Sequence, residues 1–248
     1  MLRAARSLLI AGSLGLVLAA GAAAGWGGKN PAHNYPLGAL PVACVKKPLG
    51  KTCINAGVRV LDKARAKVGL RAYKLPADFP SLKPARQLFI LANLDRIQYR
   101  LPPIKGLTGA LNRDAREKGV LASADPSPTN TAGLKGWTSN WAAGYLNAPM
   151  AYEAWVWDDG LGSSNGDCTR SHRSGCWAHR HNVLWKFRRN VRLAMGAATD
   201  LYPSDHSMRA YAMLVVGHVR SGSKQRYSYT WKRAVADGAG THVYNPGR

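Results

Sequence analysis

Val191-Arg-Leu-Ala-Met-Gly-Ala-Ala198 and Ala210-Tyr-Ala-Met-Leu-Val-Val-Gly-His-Val219 flank the turn-forming Tyr202-Pro-Ser-Asp-His-Ser207. Both runs are apolar, of strand length and bounded by turn formers, which reads as an antiparallel pair. A third strand is expected at Arg226 to Trp231 or around Trp141. Upstream, the spacing is helical. Val58 to Tyr73 places apolar residues at 58, 60, 61, 64, 68 and 70. Ala85 to about Tyr99 sets Leu88, Phe89, Leu91, Ala92 and Ile97 toward one side, and Leu101-Pro102-Pro103 stops it. Leu107 to Leu121 reads as a third helix, broken by Asp125-Pro-Ser-Pro. Pro149 to Trp157 and Trp177 to Trp185 suit short helices. Helices first and paired strands later predict an α+β fold, with helices flanking a small antiparallel sheet.

Composition sets the outer limits. The chain has 248 residues, 46% of them hydrophobic, enough for one domain plus flanks and incompatible with disorder throughout. Residues 1–24 order a basic start, the apolar run Leu8 to Ala20 and the small residues Ala22-Ala23-Ala24, the pattern of a cleaved signal peptide. The mature chain is then expected to begin near Gly25, in an oxidising compartment.

The four cysteines agree with export. Cys44 and Cys53 are nine apart, Cys168 and Cys176 eight apart, so each pair can close a short local loop. The expected bridges are 44–53 and 168–176. Zinc is the competing reading, because Asp167, Cys168, His172, Cys176, His179 and His181 lie close in sequence. The spacing matches none of the usual structural-zinc patterns, and secretion favours disulfides.

Charge is unevenly spread. The formal net charge is +22, and residues 25–86 hold twelve basic side chains against two acidic ones. Residues 87–219 hold fifteen and ten, close to an ordinary surface, and residues 220–248 hold six and one. A basic flank outside the cell is drawn to an anionic envelope polymer or to lipid headgroups. Nucleic acid is not expected as a partner, since the aromatic-plus-glycine signatures of RNA-binding modules are absent.

Several motifs follow one another in order: Asn93-Leu94-Asp95-Arg96, then Leu101-Pro102-Pro103-Ile104, then Leu111-Asn-Arg-Asp-Ala115. Ser139-Asn140-Trp141-Ala142-Ala143-Gly144, Trp155-Val-Trp-Asp158 and Ala178-His179-Arg180-His181-Asn182-Val183-Leu184 come next, before Met195-Gly196 and Val216-Gly217. Over residues 84–220 this series resembles the CAP superfamily (cysteine-rich secretory proteins, antigen 5, pathogenesis-related proteins), bacterial type. The resemblance implies an α-β-α sandwich with a cleft lined, in well-preserved members, by two His and two Glu. Here His179 keeps the His of G-H-R, Ser139 stands for one Glu, and Asp158, with Asp159 beside it, stands for the other. The loop after the third helix, Leu121-Ala-Ser-Ala-Asp125-Pro, holds no histidine, so the tetrad is degenerate. The implied cleft is lined by His179, Asp158, Ser139, Asn140, Trp141 and Arg180.

Chemistry narrows the site. His179 and Asp158 could serve as base and orienter, with Ser139 the matched hydroxyl, but no G-x-S-x-G elbow frames any serine. A divalent metal would find His179 and Asp158, plus His181 only if a strand put both histidines on one face. Trp137, Trp141, Trp155, Trp157, Trp177 and Trp185 crowd one stretch, and most are expected in the core. Gly160 to Gly166 lacks the lysine and preceding strand of a phosphate loop, and reads as a flexible connection to Cys168.

The organisation read here is a signal peptide at 1–24, a basic disulfide-stapled extension at 25–83, a CAP-like domain at 84–220 and a basic tail at 221–248. The expected function is a secreted monomer binding an extracellular or cell-envelope ligand (lipid, peptide or glycan) near His179, with no required cofactor. The alternatives are a metal-assisted or degenerate hydrolase using His179 and Asp158, and polyanion binding by the basic flanks.

Overall fold

The computed structural model describes residues 28–188, 190–219 and 225–242. The leader-like residues 1–24 lie outside them. Helices α1 (Val42–Lys46), α2 (Lys51–Lys67) and α3 (Pro84–Gln98) precede strand β1 (Gly106–Leu107). Helix α4 (Gly109–Asp114) runs on into a π-helical turn at Ala115–Val120. There follow β2 (Leu134–Ala143), α5 (Ala148–Val156), α6 (Ala178–Val183), β3 (Val191–Tyr202), β4 (Asp205–Val219), β5 (Tyr229–Thr230) and α7 (Trp231–Ala236). The fold is α+β.

Five strands form one sheet in the order β2-β4-β3-β1-β5. The expected β3–β4 hairpin forms its centre, paired from Val191↔Val219 to Tyr202↔Asp205. Both candidate sites for a further strand are strands, β2 pairing β4 and β5 pairing β1. The sheet is mixed, which corrects the expectation of an antiparallel one. Gly106–Leu107, partly read as a helix start, runs parallel to β3 with Leu107 opposite Met195. The tail expected at 221–248 also contributes elements, β5 and α7.

Strand alternation explains the layers. On β4, Tyr211, Met213 and Val215 face the main core, where they meet α2, α3 and α5 through residues such as Leu61, Leu88 and Trp155. Ala212, Leu214 and Val216 face the other way, onto Leu111 of α4, Ala115 and Val120. Helices therefore cover both faces, which is why β3 and β4 read as nearly unbroken apolar runs. Contact on the second face is close. A Cβ at Gly196 would lie 2.0 Å from the Leu111 carbonyl oxygen, and one at Gly119 would lie 2.5 Å from the Ala212 Cβ. Both pairs of cysteines are within bonding distance as expected, 44 with 53 and 168 with 176, at Cα separations of 4.8 and 4.4 Å.

The stretch read as an irregular linker, 25–52, contains α1, and α2 begins seven residues earlier than its apolar spacing predicted. Helix α2 belongs to the same core as α3 and α5: Ile54, Val58, Leu61 and Ala64 are buried there.

The motif at 93–96 ties these parts together. Asn93 accepts from the Ile104 amide (2.7 Å) and donates to its carbonyl (3.1 Å), holding the Pro-Pro segment against α3. Asp95, fully buried, pairs with Arg65 of α2 and accepts from the hydroxyls of Tyr73 (2.7 Å) and Tyr152 of α5 (2.8 Å). Arg96 donates to the carbonyls of Pro102, Val183 and Trp185, reaching the C-terminal end of α6. Asp95→Asn keeps the shape but leaves Arg65 a buried cation without its counter-ion. A loss of about 3–5 kcal/mol in urea unfolding is expected.

Candidate functional site

His179 sits in the first turn of α6, and its imidazole is oriented by Asp159. Nδ1 lies 2.7 Å from Asp159 Oδ1, with the His179 side chain 15% exposed and Asp159 fully buried. Asp159 also caps the helix from outside it. Its Oδ2 accepts from the backbone amides of His179 (2.9 Å) and Arg180 (3.2 Å), two donors with no partner inside the helix. A carboxylate is favoured at that end by the helix dipole as well. Asn165 adds a further donor to Oδ1 at 2.6 Å.

The loop 160–176 makes this capping possible. Asn165 bridges Asp159 and the Gly175 carbonyl, and the Cys168–Cys176 pair closes the loop around it. The stretch expected to be a flexible connection is therefore anchored. Trp177 then adopts φ +63°, a left-handed conformation unusual for a bulky residue, and donates its amide to the Asp159 carbonyl. The N-terminal extension braces the same loop. Asn34 accepts from the Gly160 amide (2.8 Å) and donates to the Leu161 carbonyl (2.9 Å), while the Tyr35 amide reaches the Trp157 carbonyl.

Charge follows from this geometry. Burial pulls the His179 ring down, but Asp159 and, more remotely, Asp125 and Asp167 outweigh it and hold the ring up at about 9. Burial lifts the Asp159 carboxyl, opposed by His179 and the two capping amides. Asp159 therefore engages Nδ1 and favours the protonated ring, and no described hydrogen bond engages Nε2. Asp125 stands on the exposed loop after the π turn, yet its carboxyl is crowded. It is pushed up to about 6, first by desolvation and by Asp167, against the pull of His179 and the Trp141 amide.

The other expected site residues separate from this centre. Asp158 is half-buried with its carboxyl raised by desolvation and by Asp159, and it makes no described contact with His179; the acid that engages the ring is its neighbour. Asn140 and Arg180, expected to line the cleft, are fully buried. Asn140 donates to the His179 carbonyl (2.9 Å) and accepts from Asn182 (3.0 Å), tying β2 to α6. Arg180 donates to the Val156 carbonyl and the Tyr99 hydroxyl and stacks on Trp157. Thr138 also reaches α6, so strand alternation turns Ser139 and Trp141 to the opposite sheet face. Trp141 packs there against Tyr202, and Ser139 has no route to His179 as a nucleophile.

His181 pairs with Asn30 at 3.0 Å and is pulled down to about 4 by burial and by Arg180, away from the His179 ring. Among the described residues no three His, Cys, Asp or Glu side chains are grouped to hold a metal ion. Of the six tryptophans expected mostly in the core, Trp155 and Trp157 are buried there, whereas Trp137, Trp141, Trp177 and Trp185 are only partly buried. Sequence reasoning passed over Asp125, Asn165 and Asn34. For Asp125 a signal existed: it is the ionisable residue in the loop where the resemblance puts a histidine.

Glu153, on α5, is a different case. Both carboxyl oxygens are buried without a hydrogen-bond partner, and burial, reinforced by Asp158, pushes the group up to about 9. It is a neutral acid at physiological pH.

Two pH effects are expected. His179 is expected to titrate near pH 9 in an NMR experiment, and Asp159→Asn is expected to lower that value, because desolvation stays while the nearest anion goes. The folded value exceeds the unfolded one, so the stability His179 contributes is complete below 6.5 and disappears as pH rises through 9. Glu153 acts with the same sign, its contribution complete below 4.5 and lost through about 9. Glu153→Gln is expected to stabilise the fold by on the order of 3 kcal/mol near neutrality and to change little in acid, read by chemical denaturation at each pH.

Compared with known protein families, with curated proteins and with solved structures, the chain matches none.

Proposed function

We propose that the chain is a secreted protein with a CAP-like domain that binds a polar extracellular or cell-envelope ligand at His179. The observation that carries this reading is the fixed ring: Asp159 occupies Nδ1, and Nε2–H is left as a donor at a partly exposed position. Asp125, one of the acids whose charge helps hold the ring up, is the acceptor this reading assigns to the same ligand. A hydrogen-bond donor and an acceptor of this kind suit a hydroxyl pair of a glycan or an amide of a peptide better than an acyl chain. The domain organisation supports export. Two cysteine pairs close within bonding distance, as disulfides of an oxidising compartment would.

The hydrolase reading has one observation in its favour, the carboxylate that orients the histidine. Against it, a ring protonated up to about pH 9 lacks the lone pair that a general base needs at neutrality. Binding is therefore the better reading.

Soluble peptidoglycan fragments should raise the melting midpoint of the wild-type chain by mass action, and His179→Gln and Asp125→Asn should each abolish that rise. A rise of equal size in both variants would place the ligand elsewhere. Release of new reducing ends or amines, increasing toward pH 9 and absent in His179→Gln, would establish the hydrolase instead.

A further inference from the structure

We infer that α1 and the start of α2 form a docking face for the surface of an anionic phospholipid bilayer. This goes beyond the proposed ligand site and does not depend on it.

The chain carries no acidic residue before Asp62. Within that region, Val42 and Val45 are 75% and 78% exposed, and Leu49 is 39% exposed. Lys46, Lys47 and Lys51 are exposed among them. The Cys44–Cys53 pair draws α1 against the start of α2, so these six exposed side chains lie on two adjoining helices and the turn between them. Cys44 is buried against Ala56 and Met150. One turn of helix then places Val42 and Lys46 on the side away from the core.

The combination points to a bilayer. Apolar side chains of this kind lower their free energy by entering the boundary between headgroups and acyl chains, while lysines beside them remain at phosphate level. Lysine stems can lie along apolar surface with the ammonium in water, so the two residue types do not compete. No carboxylate in the segment repels the phosphates. A groove of about 460 Å³ lies between residues 34–41, which lead into α1, and α2, with Lys63 and Lys67 on its wall. These extend the cationic surface along α2. A dissolved polyanion would engage the lysines but would gain nothing from two open valines, and this difference separates the two partners.

The test is co-sedimentation with vesicles of phosphatidylcholine, with and without phosphatidylglycerol, using a chain begun at Gly25, which retains every described residue. Binding is expected only with phosphatidylglycerol. Joint Val42→Ser and Val45→Ser substitution should weaken it about tenfold. Joint Lys46→Gln, Lys47→Gln and Lys51→Gln substitution should weaken it about a hundredfold. Lys135→Gln, an exposed lysine on β2, should leave it unchanged. All these positions are exposed, and an unchanged melting midpoint confirms that each variant is folded. Equal binding to both vesicle types would overturn the proposal. So would a valine variant that binds as tightly as wild type, which would leave retention by a polyanion, competed by heparin, as the explanation.

Discussion

A carboxylate with no exposure inside an apolar core is tolerable only when both oxygens are engaged, and Asp95 meets that demand by recruiting three separate segments. Arg65 comes from α2, Tyr73 from the extended chain after it, and Tyr152 from α5. The flanking Asn93 and Arg96 extend the same logic to the Pro-Pro segment and to the end of α6. Helix α3 therefore does more than bury an apolar stripe. It fixes where α2, α5 and α6 stand, and the histidine on α6 inherits its position from that arrangement. A buried network of this sort specifies one packing because partial satisfaction is costly.

Asp159 is the corresponding constraint at the site. Its position between α5 and the stapled loop lets one carboxylate cap α6 and orient a ring on the same helix. The two roles cannot be separated, since the helix start that presents His179 is the one Asp159 holds. Asn165 and the second cysteine pair keep the loop closed around it, and Asn34 braces it from the N-terminal extension. The extension is thus continuous with the site in structure, although its composition differs from that of the rest of the chain.

What was legible in the sequence follows the physics of each feature. The β3–β4 hairpin and helix α3 announce themselves because their apolar content is set by burial, on two faces for the strands and along a full helix for α3. Both cysteine pairs were legible because short separations favour local closure. The parallel strand β1 was not, since two residues beside β3 leave no periodicity to read. The early start of α2 was missed because its first turn, Lys51 to Ile54, carries lysine and cysteine in place of an apolar stripe. At the site, His179 stood out by motif, but the choice between Asp158 and Asp159 depends on the direction of the chain leaving α5, and adjacency in sequence cannot decide it. Asn140 and Arg180 matched motif positions while serving as buried clamps. A motif residue held for packing looks the same in sequence as one held for chemistry.

The distribution of charge separates two modes of contact. Asp125, Asp158, Asp159 and Asp167 belong to the region around His179, whereas the chain before Asp62 carries cations alone. Over distances within about a Debye length, roughly 8 Å at physiological salt, a charged surface feels the nearest groups rather than the total. An anionic polymer or bilayer is attracted by the basic extension and opposed by the acids at the histidine. A neutral polar ligand, as proposed for His179, meets no such opposition there. The same net charge of +22 is therefore compatible with both proposals, retention at an anionic surface through α1 and α2 and selection by hydrogen bonding at the His179 ring.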